Sequence, residues 1–253
     1  MKNLKFTLVA ILSAIAFDAM AWSAVMNKAI VMLAEENLSR KAKSEVAALL
    51  NAPLHEVKFG EKIALAHLNS EARSVTDKAG DAVVELEKSI AVLSDKTQSM
   101  EARKSALQSV VELTVNLHTP SCVRIEGKLD EDFTFIQHNG RMAVSRWYKE
   151  SNLGWSAMWN KEFHRRHKAF SAEMWLYDMR ISSQKIAKSL LKGEVAPRKW
   201  AEQNAKRVLE VLPTFRAKGA IDNLEVTKVE PINDISMSEA AYHLALILNK
   251  SLK

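Results

Sequence analysis

Apolar residues return at three- and four-residue spacing along almost the whole chain, and the residues that break helices are scarce: seven glycines and five prolines among 253 positions. Such spacing puts one apolar stripe on each successive helix and leaves few segments for sheet. The expected class is mainly α, with helices that must cover one another's stripes.

The stripes predict helices over Met26–Leu38, Arg40–Leu50, Glu61–Arg73 and Asp81–Leu93, and a central helix that starts at Ser99 and ends at His118. Ser39 and Ser99 are N-cap residues by type and place, while Asn51 and Pro53 end the second helix. The period then changes. Phe133–Gln137 and Arg141–Trp147 flank Asn139-Gly140, a two-residue turn signal that predicts one small β-hairpin. Helical spacing resumes over Ala157–Lys168, Ala172–Leu191, Pro197–Leu212 and Ser236–Leu252, with an irregular segment expected over Lys218–Asp234. No internal repeat or low-complexity stretch divides the chain, so residues 22–253 are expected to form one domain.

The first twenty-one residues have the layout of an export signal. Lys2 and Lys5 lead an apolar run, Phe6–Phe17, too short to span a bilayer, and Ala19-Met20-Ala21 fits the small-x-small cleavage rule. Cleavage after Ala21 leaves Trp22 as the new N-terminus, and the absence of a cysteine at that point argues against a lipid anchor. The expected location is the periplasm or the exterior, as a soluble protein, since no other run approaches the ~18 apolar residues of a membrane span. Cys122 is the single cysteine, so no disulfide can form within the chain. Losing two lysines and one aspartate with the signal takes the formal charge from +6 to +5. That balance mildly favours anionic partners over acidic-surface avoidance.

The densest chemical information lies in Ser109–Val123, the end of the central helix and its stop at Pro120. Glu112 and Asn116 are four apart and leave the same helix face, and His118, Ser121 and Cys122 follow. This stretch resembles the S1/P1 nuclease family, secreted zinc-dependent nucleases related to bacterial phospholipase C. Their signature, His-x-x-x-Asp-x-His-Gln-Pro-Leu-His, falls on Glu112–Cys122 without a gap, keeping His118 and Pro120. Further likenesses follow in the same order. Trp22 opens the chain as in the family; Leu38–Lys43 and Ala47–Leu50, Asn152-Leu153 to Trp159-Asn160, Lys199-Trp-Ala-Glu and Ala241–Asn249 resemble later family segments. The resemblance implies a phospholipase C/P1 nuclease-like helical fold.

In that family three zinc ions are held by the N-terminal Trp and by His and Asp side chains. Carried over, the ligand positions fall on Trp22, Asn27, Asn69, Glu112, Asn116, Cys122, Ser156 and Asn160; His118 matches a histidine that is not a ligand. Asp has become Asn at Asn116 and Asn160, and at Asn69 by a looser match, which keeps shape while removing the charge a cation needs. The resemblance therefore implies a zinc-nuclease fold whose site is degenerate, with no confident catalytic residue and no cofactor: a pseudoenzyme that binds rather than cuts. Two alternatives stay open. In one, Trp22, Glu112 and Cys122, with His118, make a rewired metal site that retains phosphodiesterase activity on single-stranded nucleic acid, 3′-nucleotides or phospholipid. In the other, the polar residues are ordinary components of partly exposed helices.

For ligand binding, Lys161–Lys168 is the most basic run. His164 and His167 are three apart, and Arg165 and Arg166 are candidate phosphate clamps. Arg146, Trp147 and Tyr148 set aromatic rings among positive charges, the composition of a base-stacking surface. With His118, these are the candidate contacts for an anionic ligand: nucleic acid, nucleotide or lipid head group. A protein partner is the other possibility. A Ser-His-Asp order, a Gly-rich phosphate loop and a Cys-x-x-Cys motif are all absent from the sequence.

Overall fold

The computed structural model describes residues 22–60, 64–139, 149–217 and 220–253. The expected export signal and the Arg146–Tyr148 cluster lie outside the described residues, as does the strand expected over Arg141–Trp147. The chain is mainly helical. In order it runs α1 (Ala24–Glu36), α2 (Arg40–Leu50), β1 (Ala66–Leu68), α3 (Ala82–Ser94), α4 (Met100–His118), β2 (Val123–Ile125), β3 (Thr134–Asn139) and β4 (Lys149–Gly154). There follow α5 (Trp155–Ala157), α6 (Phe163–Arg166), α7 (Ala172–Ser183), α8 (Ala187–Lys192), α9 (Pro197–Ala217), β5 (Ala220–Asp222) and α10 (Asn223–Ser251).

Short polar side chains start the helices where the sequence has them. Ser23, Ser39, Asp81, Ser99 and Ser171 each accept a backbone N–H of the first turn, meeting one of the four donors a helix start leaves open. Asn51 closes α2 in the left-handed conformation at φ 52°, a helix stop that asparagine tolerates better than most residues. α4 and α10 are central: α4 packs on α1, α2, α3, α9 and α10, and α10 also lies against α1, α7 and α8. Their shared core runs from Trp22 and Met26 through Leu107, Val111 and Val115 to Leu244 and Leu248, all essentially inaccessible.

Four expectations change. Glu61–Arg73 is not a helix: Ala66–Leu68 pairs in parallel with Val123–Ile125, and Asn69 turns the chain, its side-chain oxygen accepting the Arg73 N–H. The strand partnered with β3 is β4, in antiparallel register from Thr134↔Gly154 to Asn139↔Lys149, and β5 adds to the other edge in parallel. Asn139 pairs with Lys149 in that register, and Gly140 lies outside the described residues. The expected helix over Ala172–Leu191 is interrupted at 184–186. There Ser183 Oγ bonds back to the Met179 carbonyl and also meets Tyr242 Oη at 3.0 Å, a side-chain bond that bends helices. The segment expected to be irregular, Lys218–Asp234, is β5 and the first turns of α10 across Pro231. Val226, Val229 and Asn233 recur at helical spacing there and are buried, so packing on both sides carries the helix past the proline.

No helix among the described residues is long and apolar enough to cross a membrane.

Candidate functional site

α4 brings the signature residues inward. Glu112 is half-buried and its Oε1 accepts the Gly60 N–H at 2.7 Å. Burial raises its carboxyl above the ordinary range, and the single Gly60 N–H only partly opposes this. One turn on, Asn116 is buried, and its carbonyl accepts the Thr119 N–H that ends the helix. Pro120–Cys122 then forms a 3-10 turn that leads into β2, with Arg124 donating to the Ser121 and Val123 carbonyls. Cys122 is fully enclosed, and burial pushes its thiol up to about 12. A thiol held there is neutral at physiological pH and is no nucleophile.

His118 is engaged on both sides. Its Nδ1 lies 2.7 Å from the Thr114 carbonyl and its Nε2 lies 2.7 Å from His243 Nδ1. A carbonyl only accepts, so Nδ1 carries the proton. His243 in turn stacks on Trp200, ring centroids 4.0 Å apart and planes 9° from parallel. Beside the pair, Arg207 grips Glu239 with two 2.6 Å bonds. Burial is the main reason both imidazoles are lowered, His243 to about 2. The pair is neutral, and His118 presents no free nitrogen to a ligand.

Trp22 and Asn27 lie together at the start of α1. Asn27 Nδ2 donates to the Trp22 carbonyl at 3.2 Å, and Trp22 Nε1 donates to Asn233 Oδ1 at 2.8 Å. Asn27 is buried, and its Oδ1 has no partner among the described residues. Asn160 is also buried, in a single π-turn over Met158–Glu162 between α5 and α6. Ser156 itself is half-exposed and its N–H is held by Asp132 Oδ1 at 3.0 Å; its helix packs on the Pro120–Cys122 turn. Asn69 belongs to the turn after β1, where it caps backbone.

The arginines of the basic run pair with a buried carboxylate. Glu162, 4% exposed, receives Gln137 Nε2 at 3.0 Å, two bonds from Arg165 and one from Arg166. Burial works to raise that carboxyl, and the hydrogen bonds of Arg165 and Gln137 with the charges of Arg165 and Arg166 overcome it, leaving it lowered. Arg166 also reaches Thr227 and Glu230. The two arginines neutralise carboxylates of the chain and are not an open phosphate clamp. His164 and His167 do not pair either. His164 Nδ1 is enclosed without a partner among the described residues, and His167 packs edge-on against Trp175 at 5.0 Å.

The donor set does not fit zinc. At the positions the resemblance marks as ligands stand neutral amides, an enclosed thiol and a carboxylate served by backbone, and the nearby His118 has both ring nitrogens engaged. Among the described residues no three His, Cys, Asp or Glu side chains gather as metal ligands, so the Glu112–His118–Cys122 arrangement is not formed. Sequence reasoning passed over His243 and Asn233, 125 and 211 positions from His118 and Trp22, and Trp200, which stacks on His243; the only local cue was that polar residues interrupt apolar stripes. A scan of protein-family models and a search of curated proteins each return no match to this chain.

Proposed function

We propose that this chain is an exported protein of S1/P1 nuclease-like fold that binds a phosphate-bearing anion without hydrolysing it. The observation that carries this reading is the Asn27 amide donating to the Trp22 carbonyl. Where the resemblance puts a cation against that carbonyl, an N–H now supplies the positive end of the contact. Cys122 and His118 support the same reading, because the thiol is enclosed and both ring nitrogens of His118 are engaged. The formal charge of +5 on the chain from Trp22 onward biases long-range attraction toward anions.

The test uses protein processed to begin at Trp22, with the terminus checked by mass spectrometry. Zinc content after dialysis should be well below one ion per chain, and hydrolysis of a model phosphodiester should not rise when zinc is added. Stoichiometric zinc that is lost on Glu112→Ala or Cys122→Ala would overturn the proposal and restore a metal-dependent phosphodiesterase. Binding to a single-stranded oligonucleotide should weaken steeply with salt; binding indifferent to salt would remove the anion from the reading.

A further inference from the structure

A second site is built on the far side of the histidine pair, and it stands independently of the zinc positions. The proton order along the pair follows from one fact: the Thr114 carbonyl can only accept. His118 Nδ1–H therefore points to it, leaving Nε2 as the acceptor of the His243 Nδ1–H. Neutral His243 then carries a bare lone pair on Nε2. That atom has no hydrogen-bond partner among the described residues, although the ring is only 5% exposed. His243 lines a cavity of about 250 Å³ between α8, the start of α9 and α10. An acceptor that opens into a cavity can be partnered by something that enters it.

The walls say what that something is. Leu190 and Ala196 are apolar, Trp200 adds aromatic surface, and Lys199 and Gln203 stand at the rim. The walls are braced: Lys250 Nζ donates to the Gly193 carbonyl at 2.8 Å, fixing the end of α8 to α10. A cavity of about 150 Å³ is enough to admit a benzene ring, so a substituted single ring fits here. We infer that this cavity binds a small, mainly apolar, single-ring molecule whose hydroxyl or N–H donates to His243 Nε2. Held through His118 to the Thr114 carbonyl, His243 is oriented as a fixed acceptor.

Phenol is the probe, with anisole, which keeps the ring and loses the O–H, as its control. In protein with isotope-labelled histidine nitrogens, phenol should move the His243 Nε2 resonance saturably away from its bare-nitrogen position. Anisole should bind about five- to tenfold more weakly, the ratio one hydrogen bond supplies. Leu190→Trp fills the cavity. It should leave the proton of unliganded His243 on Nδ1, read from the nitrogen shifts, and abolish the phenol-dependent change; Ala196→Leu repeats the test from a second wall residue. The proposal is overturned if phenol leaves Nε2 unmoved up to its solubility limit, or if anisole binds as tightly. It is also overturned if unliganded His243 carries its proton on Nε2 instead of Nδ1.

Discussion

Lowering the pH should destabilise this protein through the His118–His243 pair. Burial is the first cause in both rings. In His243 the neighbouring His118 and Arg207 charges add to it; in His118 the Thr114 carbonyl and the Glu239 charge oppose it without reversing it. Both folded-state values lie below the ordinary histidine value of about 6.5. The unfolded chain therefore takes up protons that the folded chain refuses, and the stability these rings contribute is complete above about pH 6.5 and lost as pH falls. With His243 held down to about 2, its unfolded-state proton uptake at about pH 5 removes roughly 2 kcal/mol, and His118 acts in the same direction. Urea unfolding at about pH 7.5 and pH 5 measures the loss. In the double variant His118→Leu/His243→Phe the phenyl ring keeps the stack on Trp200 and neither position titrates. The variant should lose at least about 2 kcal/mol less than wild type between the two pH values. Parallel losses in the two proteins would refute a neutral buried pair.

Cys122 should resist iodoacetamide at about pH 8 in folded protein and react once urea unfolds it, read by intact mass; labelling of the folded form would contradict its burial. Trp22→Phe leaves the buried Asn233 Oδ1 without its indole donor, and the urea midpoint should fall by an amount equal to about 1–3 kcal/mol. Gly127 adopts φ +68° with open space around it, so Gly127→Ala should cost about 1 kcal/mol from backbone strain alone, measured the same way.

Helix starts were legible because they are local: a Ser or Asp four or fewer positions from the N–H it accepts needs no tertiary partner, and Ser39 and Ser99 cap where they were expected to. Helix ends at proline were less legible. The helix expected over Pro197–Leu212 continues through Pro213 to Ala217, because Phe215 is buried against Phe135 and Trp155 at 5.3 and 5.6 Å and holds the last turn. The β partner was misassigned for a similar reason. Turn chemistry at Asn139-Gly140 is a local preference, whereas the register of β3 is set by what its two neighbours bury.

At the candidate site, the residue types alone established that Asn27, Asn116 and Asn160 carry no charge and that Cys122 has no second cysteine to join. They could not say which of the polar groups were already spent. That depended on contacts closed over long stretches of chain: Gly60 to Glu112, His243 to His118, Asn233 to Trp22 and Gln137 to Glu162. Chemical identity is carried by each residue wherever it sits, but whether a donor or acceptor remains available is a property of its burial and its partners. Only the packing of α4 against α10 and its neighbours supplies those.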